Sequence, residues 1–315
     1  MSVIKLFDVA STFNISAPAG FKVEGFSDDS NHNIPRTQKD YVFRKEYLRD
    51  VLAFLMNPGN DGLYLSGPMG AGKTSLISQV ASRLNWPVQI MTCRGSTEYN
   101  ELVGQFRLVN GSMEFVHAQL AIAMREGHVF ILNEIDVMDP SELSGLNDII
   151  EGGDLFIPQN NGEVIKPHPK FRFIATANSA GFGDDTGLYQ GVMQQNMAFM
   201  DRFRYMDVSY PSSDDELSIL KSISPVIPDD VLIMMIKLAN EVRNLFIGSN
   251  DSSAELSVTM STRVLARWVR LLMSFKGSPN ALEYSFRSAF LVRARPEDKE
   301  AIERLAKDVF GDNWG

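Results

Sequence analysis

Residues 67–74 read Gly67-Pro68-Met69-Gly70-Ala71-Gly72-Lys73-Thr74, and Ser75 follows them. Two glycines, a lysine and a threonine stand at the spacing of a phosphate-binding loop, G-x-x-x-x-G-K-[ST]. The glycines let backbone N–H groups curl round phosphate oxygens, and the start of a following helix adds partial positive charge. In such a loop Lys73 reaches the terminal phosphates and Thr74 ligates Mg²⁺. We therefore expect the stretch from Gly67 to Ser75 to bind ATP with Mg²⁺.

The sequence on both sides of the loop predicts the context that this motif needs. Short apolar runs predict strands, and amphipathic stretches between them predict helices. Strands alternating with helices indicate a parallel sheet with helices on both faces, which is the three-layer αβα core of a P-loop NTPase. The predicted strands cover residues 63–66, 88–92, 129–132 and 171–176. Because the loop lies between a strand and a helix, the alternative of a chance glycine turn is disfavoured.

The chain is predicted to have three parts. Residues 1–40 are turn-rich and form an amino-terminal extension draped on the core. Residues 41–211 form the α/β nucleotide-binding core, which begins with a helix over 45–56. After residue 211 the strand pattern stops, and residues 212–315 are predicted to be a small all-α lid domain. Its predicted helices cover residues 214–223, 229–245, 261–275, 281–291 and 296–310.

Two Asn-Gly pairs predict β-hairpins inserted into the core. Asn110-Gly111 separates two short apolar runs, and Asn161-Gly162 separates another two. Asn-Gly favours the positive φ angles of a two-residue hairpin turn. We therefore predict hairpins at 106–116 and 155–165.

Residues 129–134, Val-Phe-Ile-Leu-Asn-Glu, predict the second half of a nucleotide site. An apolar strand of this kind usually ends in an aspartate that holds Mg²⁺, followed by a glutamate that activates water. Here Asn133 takes the place of the aspartate and is the expected metal residue beside Thr74. An amide oxygen carries no charge, so weaker Mg²⁺ retention follows unless Asp136 compensates. Glu134 is the candidate base; the alternative is an acid that merely caps a buried strand.

Asn178 follows a further apolar strand, residues 173–177. Next to the strand that ends in Asn133, its amide could orient the attacking water against the γ-phosphate. Asparagine also ends many strands in turns, which is the alternative.

Arginines near two helix boundaries are candidates for contact with the phosphates. A permanently charged, planar guanidinium suits a transition-state phosphate and can come from a neighbouring subunit. We favour Arg202 over Arg204 for this role, with surface salt bridges as the alternative. Arg263 follows Ser261, a predicted helix cap, and could reach back to the nucleotide; a solvated arginine is the alternative.

Composition limits the remaining possibilities. The chain has 30 Lys+Arg against 39 Asp+Glu, a formal charge of −9, and no basic run, which argues against a nucleic-acid partner. A single cysteine, Cys93, and a start without signal-peptide features lead us to expect a cytoplasmic protein. No apolar run is long enough to cross a membrane. The four histidines lack metal-ligand spacing.

With these residues assembled, the chain resembles the MoxR branch of AAA+ ATPases, and within it the group of aerobic cobaltochelatase small subunits. The resemblance runs nearly end to end, and a Gly-Leu-Tyr segment at 187–189 is distinctive of the cobaltochelatase-like group. Besides the phosphate loop, the segments that carry it are 81–87, 101–104, 165–172, 175–178, 183–189, 200–202 and 260–263.

The resemblance implies roles for particular residues and an assembly. Asn178 matches the family's sensor 1, Arg202 its arginine finger and Arg263 its sensor 2. The two hairpins resemble the helix-2 and pre-sensor-1 inserts, which would face the ring pore or a partner. The family forms homo-hexamers and works with a partner that carries a von Willebrand factor A domain. Asn133 and Thr262, in place of a frequent proline, depart from the family pattern.

Three functions remain open. The leading hypothesis is a hexameric ATPase that remodels a partner protein, with metal insertion into a corrin ring as one form of it. The second is a nucleotide-gated assembly or regulatory protein with little turnover, which Asn133 suggests. The third is a DNA-acting motor of the restriction type, which would need a basic pore face.

Overall fold

The computed structural model describes residues 3–181, 183, 191–247, 256–311 and 314. By their contacts, these residues form two compact units. The first comprises the described residues of Met1–Gln38, Phe43–Pro68 and Lys73–Val208; the second comprises those of Lys39–Val42, Met69–Gly72 and Ser209–Gly315. The segment 184–190, which includes the Gly-Leu-Tyr residues, lies outside the described residues.

The regular elements follow in chain order. The strands are β1 (Ile4–Asp8), β2 (Lys22–Phe26), β3 (Gly62–Ser66), β4 (Val88–Thr92), β5 (Gly104–Val109), β6 (Ser112–His117), β7 (Val129–Asn133), β8 (Leu155–Ile157), β9 (Glu163–Ile165), β10 (Arg172–Thr176) and β11 (Phe203–Asp207). The helices are α1 (Val9–Phe13), α2 (Lys45–Met56), α3 (Lys73–Arg83), α4 (Tyr99–Val103), α5 (Gln119–Glu126), α6 (Pro140–Leu143), α7 (Asn147–Ile150), α8 (Met197–Met200), α9 (Ser213–Ile223), α10 (Asp229–Ile247), α11 (Thr262–Ser274), α12 (Ala281–Ala289) and α13 (Pro296–Phe310). None of these helices is long and apolar enough to pass through a bilayer.

The core of the first unit is a parallel sheet with the strand order β11-β3-β10-β7-β4. Every residue of β3 and β10 is buried, as expected for parallel strands covered on both faces. The register pairs Thr176 with Asn133 on one side and with Leu65 on the other. The carboxyl ends of β3, β10 and β7 therefore meet at one edge, with β10 in the middle.

The sheet has an edge strand that the sequence did not predict. Residues 200–204 were expected to end a helix-like stretch, but Phe203–Asp207 pairs in parallel with β3 as β11. The helix before it, α8, is only four residues long. Because β11 lies at the edge of the sheet, only two of its residues, Phe203 and Met206, are buried. The strand therefore lacks the continuous apolar run that marked the other strands.

The two hairpins are present at the expected places. In the first, β5 and β6 are joined by Asn110 and Gly111, whose φ angles are 49° and 86°. Both angles are positive, as a two-residue turn of type I′ requires. In the second, β8 pairs with β9, and Asn161 and Gly162 also have positive φ, but the connection runs from residue 158 to 162.

The amino-terminal extension contains more regular structure than its turn-rich sequence predicted. β1 and β2 pair in antiparallel fashion, and α1 follows β1. A Cβ at Gly25 would lie 2.3 Å from the Leu84 carbonyl oxygen, so glycine is required where β2 packs on the chain after α3. This glycine interrupts the apolar pattern of β2, which is why the strand was missed.

The second unit is helical, as predicted, from α9 to α13. Its core includes the fully buried Trp268, whose ring lies 4.7 Å from that of Phe286 and whose indole N–H donates to Ser285 Oγ at 3.0 Å. It also contains a buried ion pair between Arg243 and Glu216, with N–O distances of 2.9 and 2.8 Å. Removing either partner of such a pair would leave the other charge buried and unpaired, which is strongly destabilising.

Candidate nucleotide site

The phosphate loop leaves β3 at Gly67 and enters α3 at Lys73. Gly67, Gly70 and Gly72 have φ angles of 135°, 80° and 97°, a region that residues with a Cβ rarely adopt. A Cβ at Gly67 would also lie 2.2 Å from the Val208 carbonyl oxygen. The glycines of the motif are therefore required by the backbone path of the loop.

The middle of the loop, Met69–Gly72, belongs by its contacts to the second unit. There the Tyr210 hydroxyl donates to the Met69 carbonyl at 3.1 Å, and a Cβ at Gly70 would meet the side chain of Ser261. Ala71 is buried. Pro68 lies in the first unit, and Ser75 is half-buried in the first turn of α3.

The Lys73 ammonium lies across the base of the loop. Its Nζ donates to the carbonyl oxygens of Gly67 at 2.5 Å and Pro68 at 3.2 Å, and to Asn178 Oδ1 at 3.2 Å. The side chain is buried, so its charge acts where water screens it little. The structure therefore brings together Lys73, the expected phosphate ligand, and Asn178, the residue expected to orient the attacking water.

Thr74, Asn133 and Thr176 form an oxygen-rich cluster beside the lysine. Both threonine hydroxyls donate to Asn133 Oδ1, Thr74 at 2.8 Å and Thr176 at 3.0 Å. Mg²⁺ prefers such oxygen ligands and usually keeps several of its waters. The donor set at Thr74 and Asn133 therefore fits Mg²⁺, although Asn133 contributes an oxygen without a charge.

Glu134 projects from the end of β7 in an unusual backbone conformation. Its φ is 55°, in the left-handed region that non-glycine residues rarely adopt and that often accompanies functional sites. The side chain is exposed, and within the described part of the chain its carboxylate has no hydrogen-bond or ion-pair partner. A carboxylate held this way is available to accept a proton from water.

Asp136 does not compensate for Asn133 in the way considered from the sequence. It is fully buried, and its Oδ2 accepts the backbone N–H groups of Asn178 at 2.8 Å and Ser179 at 3.1 Å. The carboxylate therefore faces the chain that follows β10. Burial, together with the negative charge of Asp136, raises the pKa of Tyr64, whose hydroxyl donates to the Ser179 carbonyl at 3.3 Å.

The two candidate arginines after α8 have different surroundings. Arg204 is engaged within its own chain by Asp61, at 2.8 Å, and by the carbonyls of Asn57 and Pro58. Arg202 Nε lies 3.1 Å from Glu151 Oε1 without hydrogen-bond geometry, and its Nη1 donates to the Ala198 carbonyl. Arg202 is therefore the less firmly bound of the two.

Arg263 is exposed in the first turn of α11, in the second unit. Ser261 caps this helix by accepting the Val264 N–H, as the sequence suggested. The Thr262 hydroxyl donates to Glu216 Oε1 at 2.7 Å, and Arg243 Nε donates to the Met260 carbonyl at 2.7 Å. The buried Arg243–Glu216 pair thus binds both Met260 and Thr262, which lie shortly before Arg263 in the sequence. A proline at position 262 could not donate the hydrogen bond that Thr262 gives to Glu216.

Comparison with known proteins identifies two families along the chain. Residues 62–203 match the AAA domain of the dynein-related subfamily, and residues 216–309 match the CbbQ/NirQ/NorQ C-terminal domain. Together the matches span about three quarters of the chain.

Individual relatives agree with these matches. The chain is 29% identical over 287 residues to the aerobic cobaltochelatase subunit CobS of a Sinorhizobium species, covering 88% of this chain and 83% of that protein. It is 29% identical over 192 residues to an uncharacterized protein of Staphylococcus haemolyticus, covering 59% and 70%.

Among solved structures, the Thermotoga maritima RuvB Holliday junction branch migration motor aligns with a TM-score of 0.47 and 14% identity, covering 90% of this chain and 76% of that one. The two family matches and the likeness to CobS, on a chain whose phosphate-loop residues Lys73 and Thr74 contact Asn178 and Asn133, lead to one conclusion: the protein belongs to the MoxR-like AAA+ ATPases and is an ATP hydrolase.

Proposed function

We propose that this ATPase forms a ring of six subunits and couples ATP hydrolysis to the remodelling of a partner protein. The observation that carries the proposal is the cluster at the sheet edge, where Lys73 contacts Asn178 and Thr74 contacts Asn133, and where the backbone N–H of Glu134 donates to Thr176. Such an arrangement can bind the phosphates, hold a metal and activate water within a single subunit.

Each residue of the cluster has a proposed role. Gly67–Ser75 surrounds the phosphates, and Lys73 contacts the β- and γ-phosphate oxygens. Thr74 and Asn133 hold Mg²⁺, which when bound would neutralise phosphate charge. Glu134 takes the proton of the attacking water, and Asn178 orients that water.

Two arginines complete the proposed site. Arg202 would reach the γ-phosphate of the neighbouring subunit, where a guanidinium stabilises the charge of the transition state. A phosphate would replace Glu151 as the partner of Arg202, because a phosphate accepts two charge-assisted hydrogen bonds from arginine. Arg263, exposed and without a described partner, would sense the nucleotide from the helical lid.

The hairpins support a partner protein as the object of remodelling. Phe106, Leu108 and Met113 lie on one face of the first hairpin and are 49%, 72% and 63% exposed. Phe156 and Val164 pair on the outer face of the second and are 58% and 52% exposed. Exposed apolar groups concentrated on one face of each of two hairpins are typical of an interaction surface.

The identity of the partner is proposed from the relatives. CobS is a subunit of an aerobic cobaltochelatase, so a complex for metal insertion is the first system to test. The family resemblance adds a von Willebrand factor A domain protein as the proposed partner in that complex. Co-expression with such a protein should give an ATP-dependent complex. No complex with ATP, in a preparation that hydrolyses ATP, would argue for another target.

A second function, a nucleotide-gated assembly protein with little turnover, is favoured by Asn133. Without the usual carboxylate, retention of Mg²⁺ and therefore hydrolysis could be slow enough for ATP to act as a binding signal. Brisk steady-state hydrolysis by the wild-type protein, unchanged in Asn133→Asp, would eliminate this alternative.

The direct test of the proposed site is Glu134→Gln. We expect this variant to bind ATP with wild-type affinity and to lose turnover by about 100-fold or more, because it keeps the shape of the side chain but cannot take a proton. Binding by fluorescent ATP analogue and steady-state phosphate release measure the two properties. Glu46→Gln, an equivalent change at an exposed position of α2, is the control. Full turnover in Glu134→Gln would contradict the assignment.

A further inference from the structure

Asp136, which follows β7, binds the chain that follows β10 through hydrogen bonds. Its carboxylate accepts the N–H groups of Asn178 and Ser179, where the chain leaves the sheet. Its backbone carbonyl accepts the Met193 N–H at 2.7 Å, where the chain returns. One residue thus contacts both ends of the segment that begins with Asn178.

The Asp136 carboxylate holds these backbone groups as a charged hydrogen-bond acceptor. Asp136 is fully buried, and within the described residues no lysine, arginine or histidine forms an ion pair with it. Its Oδ1 has no hydrogen-bond partner among the described groups, so its contacts concentrate on Oδ2. Hydrogen bonds from backbone N–H groups to a charged acceptor are stronger than those to a neutral one. This single oxygen therefore accepts the backbone N–H groups of both Asn178 and Ser179.

The orientation of the Asn178 side chain follows from the position of its backbone. Its Oδ1 accepts from Lys73 Nζ at 3.2 Å, so the amide is aimed at the phosphate-binding lysine. β10 itself holds the chain only to Thr176, and the Ala177 N–H bonds to the Leu65 carbonyl. Beyond that point, the carboxylate of Asp136 is the group that holds the Asn178 N–H.

We infer that Asp136 is a positioning residue for hydrolysis, which acts by fixing Asn178 against Lys73 and the γ-phosphate position. This inference rests on the proposed role of Asn178 in orienting the attacking water. A geometric shift of about 1 Å at such a group is enough to slow a reaction without weakening substrate binding. Loss of the Asp136 charge should therefore lower kcat and leave the KM for ATP unchanged.

The first experiment compares Asp136→Asn with Asp139→Asn. Asp136→Asn keeps the size of the side chain and removes its charge; we expect kcat to fall by about tenfold, with the KM for ATP within about twofold of wild type. Asp139, three residues on, is exposed and caps α6, so its amide variant should keep the wild-type kcat. Asp136→Ser is the second variant should Asp136→Asn fold poorly, and circular dichroism reports folding for both. A wild-type kcat in the folded variants would overturn the inference.

A double-mutant cycle distinguishes positioning from a general structural role. Asn178→Ala alone should lower kcat, which tests the proposed function itself; an unchanged kcat there would reject both the role of Asn178 and the inference built on it. In the Asn178→Ala background, Asp136→Asn should change kcat by less than about twofold, because the group that it positions is gone. A second tenfold loss in that background would mean that Asp136 does not act through Asn178.

Discussion

Asn133 is the residue that most distinguishes this nucleotide site. Its amide oxygen accepts hydrogen bonds from Thr74 and Thr176, at the position where a carboxylate usually stands. In the proposed metal site, the amide therefore keeps the shape of the usual side chain but carries one negative charge fewer. The consequence should appear in metal affinity more than in nucleotide affinity, because the proposed phosphate contacts come from the loop and Lys73.

Restoring the carboxylate should strengthen metal retention. We expect Asn133→Asp to lower the Mg²⁺ concentration for half-maximal ATPase activity by about tenfold, because a charge is added within a few ångströms of a divalent cation. Mg²⁺ titration at saturating ATP measures this, with Asn60→Asp, an exposed position, as the control. Equal Mg²⁺ requirements for wild type and Asn133→Asp would show that Asn133 does not hold the metal.

The Cys93 thiol should be unreactive toward alkylating reagents in the folded protein. Burial, together with the nearby charges of Asp136 and Glu134, raises the pKa of its thiol to about 12, and the side chain is 3% exposed. Because the thiolate is the reactive form, labelling by iodoacetamide at pH 8 should be slow in buffer and complete after unfolding in denaturant. Mass spectrometry of labelled and unlabelled protein measures the difference. Rapid labelling of the native protein would contradict the packing around β4.

The two hairpins are linked by an ionic cluster. His117 Nε2, at the end of β6, lies 2.6 Å from Glu163 Oε2, at the start of β9, and Arg125 Nη2 of α5 donates to Glu163 Oε1 at 2.6 Å. Burial opposes ionisation of Glu163, but hydrogen bonds from His117 and Asn160 outweigh it and place its pKa below the ordinary value. The stabilisation is therefore present at neutral pH and is lost as the pH falls through this lowered pKa.

Removing the charge of Glu163 should loosen the second hairpin. We expect Glu163→Gln to accelerate hydrogen exchange in β8 and β9 by about fivefold at pH 7, a modest effect because the cluster is partly exposed. Glu114→Gln, on the exposed first hairpin, is the matched control. Unchanged exchange in Glu163→Gln would show that the cluster contributes nothing to the order of the hairpin.

Elements with strong local signals were predictable from the sequence. The periodicity of α2 and the apolar runs of β3, β4, β7 and β10 correspond to the observed strands and helix within about one residue. β11 was missed because an edge strand buries only part of its length, and β1 and β2 were missed because their apolar residues are few and interrupted. In both cases pairing with distant strands decides the structure, and one segment's sequence does not contain that information.

The candidate site was predictable where a side chain follows a strand or belongs to a spaced motif. Lys73, Thr74, Asn133 and Asn178 were each expected in the nucleotide site, and the structure brings Lys73 into contact with Asn178 and Thr74 into contact with Asn133. The contacts of Asp136 and Thr176 were not predicted, because Asp136 binds backbone N–H groups about forty residues away and Thr176 was taken as part of a strand. Contacts with backbone atoms leave no pattern in the sequence of the partner segment.

The proposed ring predicts the mass of the assembly that the protein forms with ATP. A heterologous interface, in which the Arg202 side of one subunit meets the nucleotide site of the next, closes into a ring. We expect native mass measurement to give six subunits in the presence of ATP. A monomer under the conditions in which the protein hydrolyses ATP would contradict a site shared between subunits.

Mixing two inactive variants tests the shared site most directly. Lys73→Ala should lose its own site but keep Arg202, whereas Arg202→Ala should keep the site but lack the arginine for its neighbour. Each alone should be inactive. Random equal mixing places an intact site beside an intact arginine at about a quarter of the interfaces, so phosphate release should recover to about a quarter of the wild-type rate. Mixed rings that show no recovery, or an Arg202→Ala protein that is fully active alone, would contradict the account.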